Sequence, residues 1–259
     1  MTDYKEIATD ARKKVLELVY KAQTSHIGSN FSIIDIMAVL FEKVDLDKDK
    51  VILSAGWKAA ALYYFLWRKG RITEEELNSY CMPGSKFIGL TEPIIPEIPF
   101  SGGSMGMGLP ASIGFALAKK LKKEEGIVYC LMSDGEMQIG TTWESALIAS
   151  MHKLDNLVVI VDYNQFQAMG RTNEILNIEP LFEKWLSFGW SGNEMDGHNF
   201  KQMETILDST LCFREGKPTI LIVHTIKGKG VSFMEEDNKW HYLAPNKDDY
   251  EKALAELNK

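Results

Sequence analysis

The chain has 259 residues, 45% hydrophobic and 25% charged, which is enough for a sizeable buried core and ordinary for a globular protein. Its 29 basic and 36 acidic residues leave a net charge of −7, which excludes a broad nucleic-acid-binding surface. Three cysteines, Cys81, Cys130 and Cys212, are widely spaced and odd in number, so neither a disulfide frame nor a zinc site is expected, as in a reducing cytoplasm. The opening stretch MTDYKEIATDARKK has no apolar signal core. Residues 3–21 place Ile7, Ala11, Val15, Leu18 and Val19 at helical spacing and predict an amphipathic first helix. SHIGSNFS breaks that pattern at Gly28 and Asn30, and a helix resumes over Ile33–Phe41. Val51–Leu53 reads as a short buried strand, then Ala59–Arg68 and Thr73–Tyr80 as helices, the second opened by a capping box of Thr73 and Glu76. Residues 82–103 are rich in Pro and Gly and read as irregular loop.

From Ile98 to Ala118 there are 21 residues without a charge, nominally enough to span a bilayer. Five glycines and two prolines make this a buried turn feeding a core helix, helical only from Ser104 onward. The rhythm then becomes strand–helix–strand: Ile127–Met132 and Leu157–Val161 as strands around a helix over Thr141–His152, then helices over Leu181–Ser187, Met203–Leu211 and Tyr250–Leu257, with a strand over Thr219–Val223. Solid apolar strands alternating with helices predict an α/β fold, a mostly parallel central sheet covered by helices on both faces. No repeat or linker divides the chain, so residues 1–259 are expected to form one domain.

Chemistry concentrates at Ser133-Asp134-Gly135-Glu136 and at Asp162-Tyr163-Asn164-Gln165-Phe166. Asp134 and Asn164 lie 30 residues apart with one helix and one strand between them. A right-handed crossover would set both just past the carboxyl ends of parallel strands, at the sheet edge where open α/β sheets bind ligands. One carboxylate and one amide oxygen suit a hard cation that takes its remaining ligands from phosphate and water. Gly135 permits close backbone approach, and the helix that follows aims its N-terminus at the same place. Each motif alone is also an ordinary turn; only their joint placement points to a metal diphosphate. Gly106 to Ala111 formally gives G-x-G-x-x-A, but no clear strand precedes it, which argues against a nicotinamide site.

The spacing resembles the thiamine-diphosphate motif of transketolases, which begins Gly-Asp-Gly and ends in Asn about thirty residues later. SHIGSNFSIIDIMAVLF, FSGGSMGMGLPASIGFALA, SDGEMQIGTTWESALIASMHKLDNLVVIVDYN, MDGHNF and HTIKGKGVSFMEEDNKWH all look like transketolase segments, in the same order. The chain is therefore identified as similar to the N-terminal, diphosphate-binding part of that family. By resemblance, Asp134, the Asn164 side chain and the Phe166 carbonyl hold Mg²⁺ or Ca²⁺, and Gly135 and Asn164 meet the diphosphate. Gly103, Ser104 and Met105 match the turn at the ring end of the cofactor; Ser29, Lys227 and His241 match further cofactor contacts. His26 matches a substrate-facing histidine, and His241 is placed for both diphosphate and substrate, so these two are the expected catalytic imidazoles. Glu144 matches an acidic residue near the interface between two active sites. His152, His198 and His224 are expected to make ordinary structural hydrogen bonds.

The resemblance implies transfer of a two-carbon ketol unit from a ketose to an aldose, with thiamine diphosphate as electron sink. Family transketolases are more than twice this length, and their second domain supplies the glutamate that acts on the aminopyrimidine. A separate C-terminal subunit is therefore expected, in a two-plus-two heterotetramer, docked on apolar surface that this chain leaves open. Four positions depart from the family pattern. Trp57 replaces the histidine of Ser-x-Gly-His, Leu90 that of Gly-His-Pro, Ile139 a common interface glutamate, and Ser133 the first glycine of the metal motif. Losing two imidazoles makes the donor pocket drier, and burying an unpaired hydroxyl costs roughly 1–3 kcal/mol. A donor less hydroxylated than xylulose or fructose phosphate is expected, with Lys58 either meeting an anionic group on it or standing exposed at a helix start. Two other readings stay open: a carboligase using a 2-oxo acid, and a non-catalytic regulatory chain.

Overall fold

The computed structural model describes residues 2–212 and 216–259. In chain order the elements are α1 (Tyr4–Ala22), α2 (Ile27–Lys43), β1 (Lys50–Leu53), α3 (Ala59–Arg68), α4 (Glu74–Asn78), α5 (Gly108–Lys122), β2 (Val128–Ser133), α6 (Gly140–Met151) and β3 (Leu157–Tyr163). They continue with the short pair β4 (Phe166–Gln167) and β5 (Gly170–Arg171), then α7 (Thr172–Ile175), α8 (Leu181–Ser187), β6 (Ser191–Asp196), α9 (Phe200–Cys212), β7 (Thr219–His224) and α10 (Lys247–Leu257). Single 3₁₀ turns occupy Gly56–Lys58, Asp134–Gln138 and Asn238–His241.

The central sheet has the order β1-β2-β3-β7-β6 with every pairing parallel, as expected for an α/β fold. Alternate strand residues feed two separate cores. Val51, Leu53, Tyr129, Leu131, Val158, Ile160, Leu221 and Val223 pack with α1, α2, α3, α9 and α10 residues. Ile52, Val128, Cys130, Met132, Val159, Val161, Ile220 and Ile222 pack with residues of α5, α6 and α8. Because both faces are covered, strand residues of either parity are apolar, which is why these strands read as solid runs. The three cysteines are free. Among the described residues no helix is long and apolar enough to cross a membrane, so the uncharged stretch from Ile98 ends as a turn and a core helix.

Two expectations need correction, and one strand was not foreseen. Gly28 and Asn30 do not interrupt α2, which begins at Ile27. Asn30 is tolerated inside it because its amide is fully used: Nδ2 donates to the carbonyls of His26 (2.9 Å) and Trp57 (3.2 Å), and Oδ1 accepts from the Ala61 amide (3.0 Å). The helix expected from Ser104 starts at Gly108, since residues 102–107 are held in an open turn by neighbours outside the helix. Strand β6 carried no apolar run, with only Met195 buried in SGNEMD; it is an edge strand paired to β7 alone, so half its surface faces outward.

Close approach of two turns fixes the glycine at position 102. A Cβ there would lie 2.4 Å from both the Leu53 carbonyl and Thr91 Oγ1, so the turn before α5 lies flush on the end of β1. Gly102→Ala is expected to lower Tm by several degrees. By contrast Gly114, on the exposed side of α5 with open space around it, should gain from alanine, about 0.5–1 kcal/mol and a Tm rise of one to a few degrees by thermal melting.

Candidate functional site

Strands β2 and β3 are neighbours, with Ser133 opposite Asp162, so the crossover sets Asp134 and Asn164 side by side beyond the same sheet edge. There a cavity of about 140 Å³ is lined by His26, Ser29, Trp57, Lys58, Met105 and Ser133 from one set of segments. Gly135, Asn164, Phe166, Gln167, Ala168 and His241 complete its wall. The elements converge because each arrives at that edge: α2 by its first turn, β1 by the Gly56–Lys58 turn, β2 and β3 by their ends, and the Asn238–His241 turn against α2.

Asp134 is fully buried. Its Oδ1 accepts the Gly135 amide (2.8 Å) and its Oδ2 the Gln165 amide (2.5 Å), the latter made available by a left-handed Gln165. Burial, then the neighbouring Asp162 carboxylate, pushes Asp134 up to about 7. Asn164 Oδ1 accepts the Phe166 amide (3.0 Å), while Nδ2 points toward Ser32 Oγ (3.3 Å) and Asp162 (3.5 Å). The Asp134 carboxylate and the Asn164 amide oxygen are thus tied to successive amides, those of Gln165 and Phe166. Among the described residues no group of three or more His, Cys, Asp or Glu is placed to hold a metal ion.

On the cavity's other side Lys227 is 1% exposed. Its ammonium donates to Asn238 Oδ1 (2.6 Å) and to His241 Nδ1 (3.1 Å) and lies 5.4 Å from the Phe166 ring centre. Burial lowers Lys227 to about 8. His241 is lowered to about 3 by burial and then by Lys227, and His26 to about 4 by the same two causes in that order. The two imidazoles meet edge-on, 4.9 Å between centres. Since an ammonium can only donate, His241 Nδ1 accepts and Nε2 carries the proton. Ser25 Oγ occupies His26 Nδ1 (2.7 Å), which leaves Nε2 for a ligand.

The cavity brings together His26, Ser29, Met105, Gly135, Asn164, Phe166 and His241. Asp134 and Lys227 stand directly behind this wall; Gly103 and exposed Ser104 sit on the turn leading to Met105 and do not line it. No residue of α6 lines it either: a 3₁₀ turn separates Asp134 from α6, so the expected helix N-terminus does not reach the cavity. Glu144 is exposed on α6. Trp57 lines the cavity, whereas Leu90 packs on the turn leading to Met105, 2.9 Å from where a Cβ on Gly103 would stand. His198 makes structural bonds, to Asp35 (2.7 Å) and from the Ile226 amide (2.9 Å).

Lys58 is not exposed. It is 1% exposed and its ammonium lies 2.5 Å from Asp162 Oδ2, which also accepts from Ser32 Oγ (2.5 Å); Asp162 Oδ1 accepts from Thr225 Oγ1. The signal for this pair was an aspartate at the end of the apolar run LVVIVDY, since a buried carboxylate demands a partner. Removing one member strands the other, so Lys58→Met is expected to cost about 3–5 kcal/mol, and Lys58→Met with Asp162→Asn less than the sum of the singles in a denaturant double-mutant cycle.

The depressed His26 carries a pH signature. Its folded value lies below the usual 6.5 of an unfolded chain, so its contribution is complete above pH 6.5 and is lost as pH falls toward 4. His26 sits in a left-handed conformation that Asn also adopts, which makes His26→Asn a mild, non-titrating replacement. Between pH 7 and pH 5 the wild-type chain should lose about 2 kcal/mol more unfolding free energy than this variant. Equal losses in urea titrations would contradict the assignment.

Comparisons agree with this geometry. Residues 4–257 match the family described as transketolase, thiamine diphosphate binding domain. The chain is 36% identical to an apulose-4-phosphate transketolase subunit of Phocaeicola vulgatus, with 95% of this chain and 91% of that protein covered. It is 33% identical to the 6-deoxy-6-sulfo-D-fructose transketolase subunit SqwG of Clostridium sp. (strain MSTE9), covering 99% and 97%. The crystal structure of Campylobacter jejuni transketolase superimposes with a TM-score of 0.92 at 25% identity, over 100% of this chain and 43% of that one. The chain thus spans about two-fifths of a full-length transketolase. From the order of its motifs, the edge that gathers them and the near-complete match to relatives above 30% identity, the chain belongs to the transketolase family of transferases and corresponds to its N-terminal, thiamine-diphosphate-binding part.

Proposed function

We propose that this chain is the cofactor-binding subunit of a two-chain transketolase, moving a two-carbon ketol group from a ketose-type donor to an aldose acceptor. The observation that carries this reading is the bipolar cavity. Asp134 and Lys227 are both buried behind the cavity wall, and among the described residues neither has an ion-pair partner. A cation beside Asp134 and an anion beside Lys227 remove both deficits, and a metal diphosphate supplies the two together.

The donor set fits Mg²⁺ or Ca²⁺: the Asp134 carboxylate, Asn164 Oδ1 and the Phe166 carbonyl are all oxygens, and the Asp134 carboxylate keeps lone pairs beyond its two amide bonds. Gly135, Asn164, Ser29, Lys227 and His241 would hold the diphosphate, and Gly103, Ser104 and Met105 the ring end. When bound, thiamine diphosphate supplies the electron sink that lets a bond beside a ketose carbonyl break and re-form. The chain itself positions that group and handles protons. Neutral His241 offers its Nε2 hydrogen to an oxygen of diphosphate or substrate. His26, also neutral near pH 7, has Nε2 free to exchange a proton with a substrate hydroxyl.

A separate C-terminal subunit in a two-plus-two heterotetramer completes the reading. It is supported by relatives that are themselves called subunits and by exposed apolar side chains near the cavity mouth and on α6, Met105, Met107, Leu147, Ile148 and Met151. Trp57 in the wall favours a donor less hydroxylated than xylulose or fructose phosphate. The purified chain should release no aldehyde from ketoses, while chain plus partner should, in a magnesium- and thiamine-diphosphate-dependent way lowered at least 100-fold by Asp134→Ala. Carbon dioxide released from pyruvate in place of aldehyde from ketoses would transfer the assignment to a 2-oxo acid enzyme. Turnover of xylulose 5-phosphate typical of the family, unchanged by Trp57→His with Leu90→His, would remove the donor argument.

A further inference from the structure

The turn that brings Met105 to the cavity wall has no secondary structure of its own before Gly108. Its shape is set from outside. The Gly102 amide donates to the Thr91 carbonyl (3.0 Å) and the Gly103 amide to the Ser54 carbonyl (3.2 Å). Farther on, the Gly106 amide donates to Glu136 Oε1 (3.2 Å) and the Gly108 amide to Ser54 Oγ (3.2 Å). Ser54 Oγ in turn donates to the same Glu136 oxygen. Glu136 Oε2 accepts the Ser133 amide (2.8 Å) and hydroxyl (3.3 Å). The side chain is fully buried and does not line the cavity, so nothing in the proposed chemistry uses it.

We propose that Glu136 is a positioning residue: its carboxylate latches the glycine-rich turn carrying Met105 to the turn carrying Asp134 and Gly135, fixing the distance between the ring-end and metal-end walls of the cofactor cavity. That it serves a cofactor rests on the function proposed above; the latch itself rests on geometry alone. Both oxygens are needed. One is shared by the β1 end and the Gly106 amide, the other by the β2 end, and an amide side chain offers a single acceptor to two backbone donors. The hydroxyl of Ser133, where the family pattern has glycine, adds a further donor to this carboxylate. The turn also fits tightly beyond the latch: a Cβ on Gly106 would come within 2.6 Å of Ile139, so it has no room to settle closer if released.

The test uses the full chain without ligand, comparing wild type with Glu136→Gln and Ser54→Ala by amide hydrogen exchange. Ser54→Ala keeps Ser133 and Asp134 untouched and serves if the glutamine variant folds poorly. Peptides covering 102–108 should exchange at least tenfold faster in both variants, with β3 and β7 peptides within twofold of wild type. Unchanged exchange at 102–108, or acceleration shared equally by β3 and β7, overturns the proposal. Calorimetry with Mg²⁺ provides a second readout that a merely structural loosening would not produce: Ser54→Ala should bind inorganic diphosphate within threefold of wild type but thiamine diphosphate at least tenfold more weakly. Equal weakening for the two ligands again overturns it. Wild type that binds neither ligand even beside its partner subunit would sink the cofactor reading, and the exchange experiment would still decide the latch.

Discussion

The site depends on one buried carboxylate that does not itself line the cavity. Asp162 closes β3 with a charge in a fully buried position, and its two oxygens collect donors from four segments: Ser32 on α2, Lys58 on the turn after β1, Asn164 just beyond β3, and Thr225 after β7. Each segment carries a residue of the cavity or its backing, namely Ser29, Trp57, Asn164 and Lys227. A buried carboxylate without donors is intolerable, so these loops are drawn to one point by its need for partners. The same bonds orient the Asn164 amide, since Nδ2 committed toward Asp162 and Ser32 leaves Oδ1 directed elsewhere. Loop convergence at a sheet edge, ordinarily the softest part of an α/β fold, is here enforced by charge.

That arrangement also divides the charges of the cavity into those that cancel internally and those that do not. Lys58 and Asp162 neutralise each other, leaving Asp134 and Lys227 behind the cavity wall as a carboxylate and an ammonium with no ion pair among the described residues. The cost of the imbalance appears in both groups: Asp134 is pushed up to about 7 and Lys227 down to about 8, each mainly by burial. Burial, reinforced by neighbouring ammonium groups, holds His26 and His241 neutral, so the imidazoles act as hydrogen-bonding groups of fixed polarity, not as further cations. Such a cavity is preorganised for a ligand that is itself bipolar, cation at one end and anion beside it.

Much of this was legible in the sequence, for identifiable reasons. Runs such as LVVIV and the capping box at Thr73 speak for themselves because one covering layer or one turn determines them. The neighbouring placement of Asp134 and Asn164 followed from the handedness and length of a single crossover. What escaped was whatever depends on partners distant in the chain. Asn30 looks like a helix breaker until the carbonyl of Trp57 is beside it, and Lys58 looks like a surface lysine until Asp162, 104 residues away, is known to receive it. Edge strand β6 was invisible because its polarity reflects exposure on one side while its existence reflects pairing with β7.

The contrast between floor and mouth gives the site its division of labour. Behind the cavity the key polar groups are bound by this chain's own residues: Asp162 by four donors, Glu136 by four, Asn30 by three partners. At the mouth the side chains are apolar and open, with Met105 and Met107 each more than two-fifths exposed on a turn that the chain nevertheless holds at both ends. A turn so firmly tied beneath and so poorly covered above is shaped to be covered by something else. Methionine side chains are unbranched and adapt to varied surfaces, while the polar base beneath them is fixed by this chain's own hydrogen bonds. Within this chain, then, the tightly bonded geometry lies at the base of the cavity and the apolar, uncovered surface at its mouth.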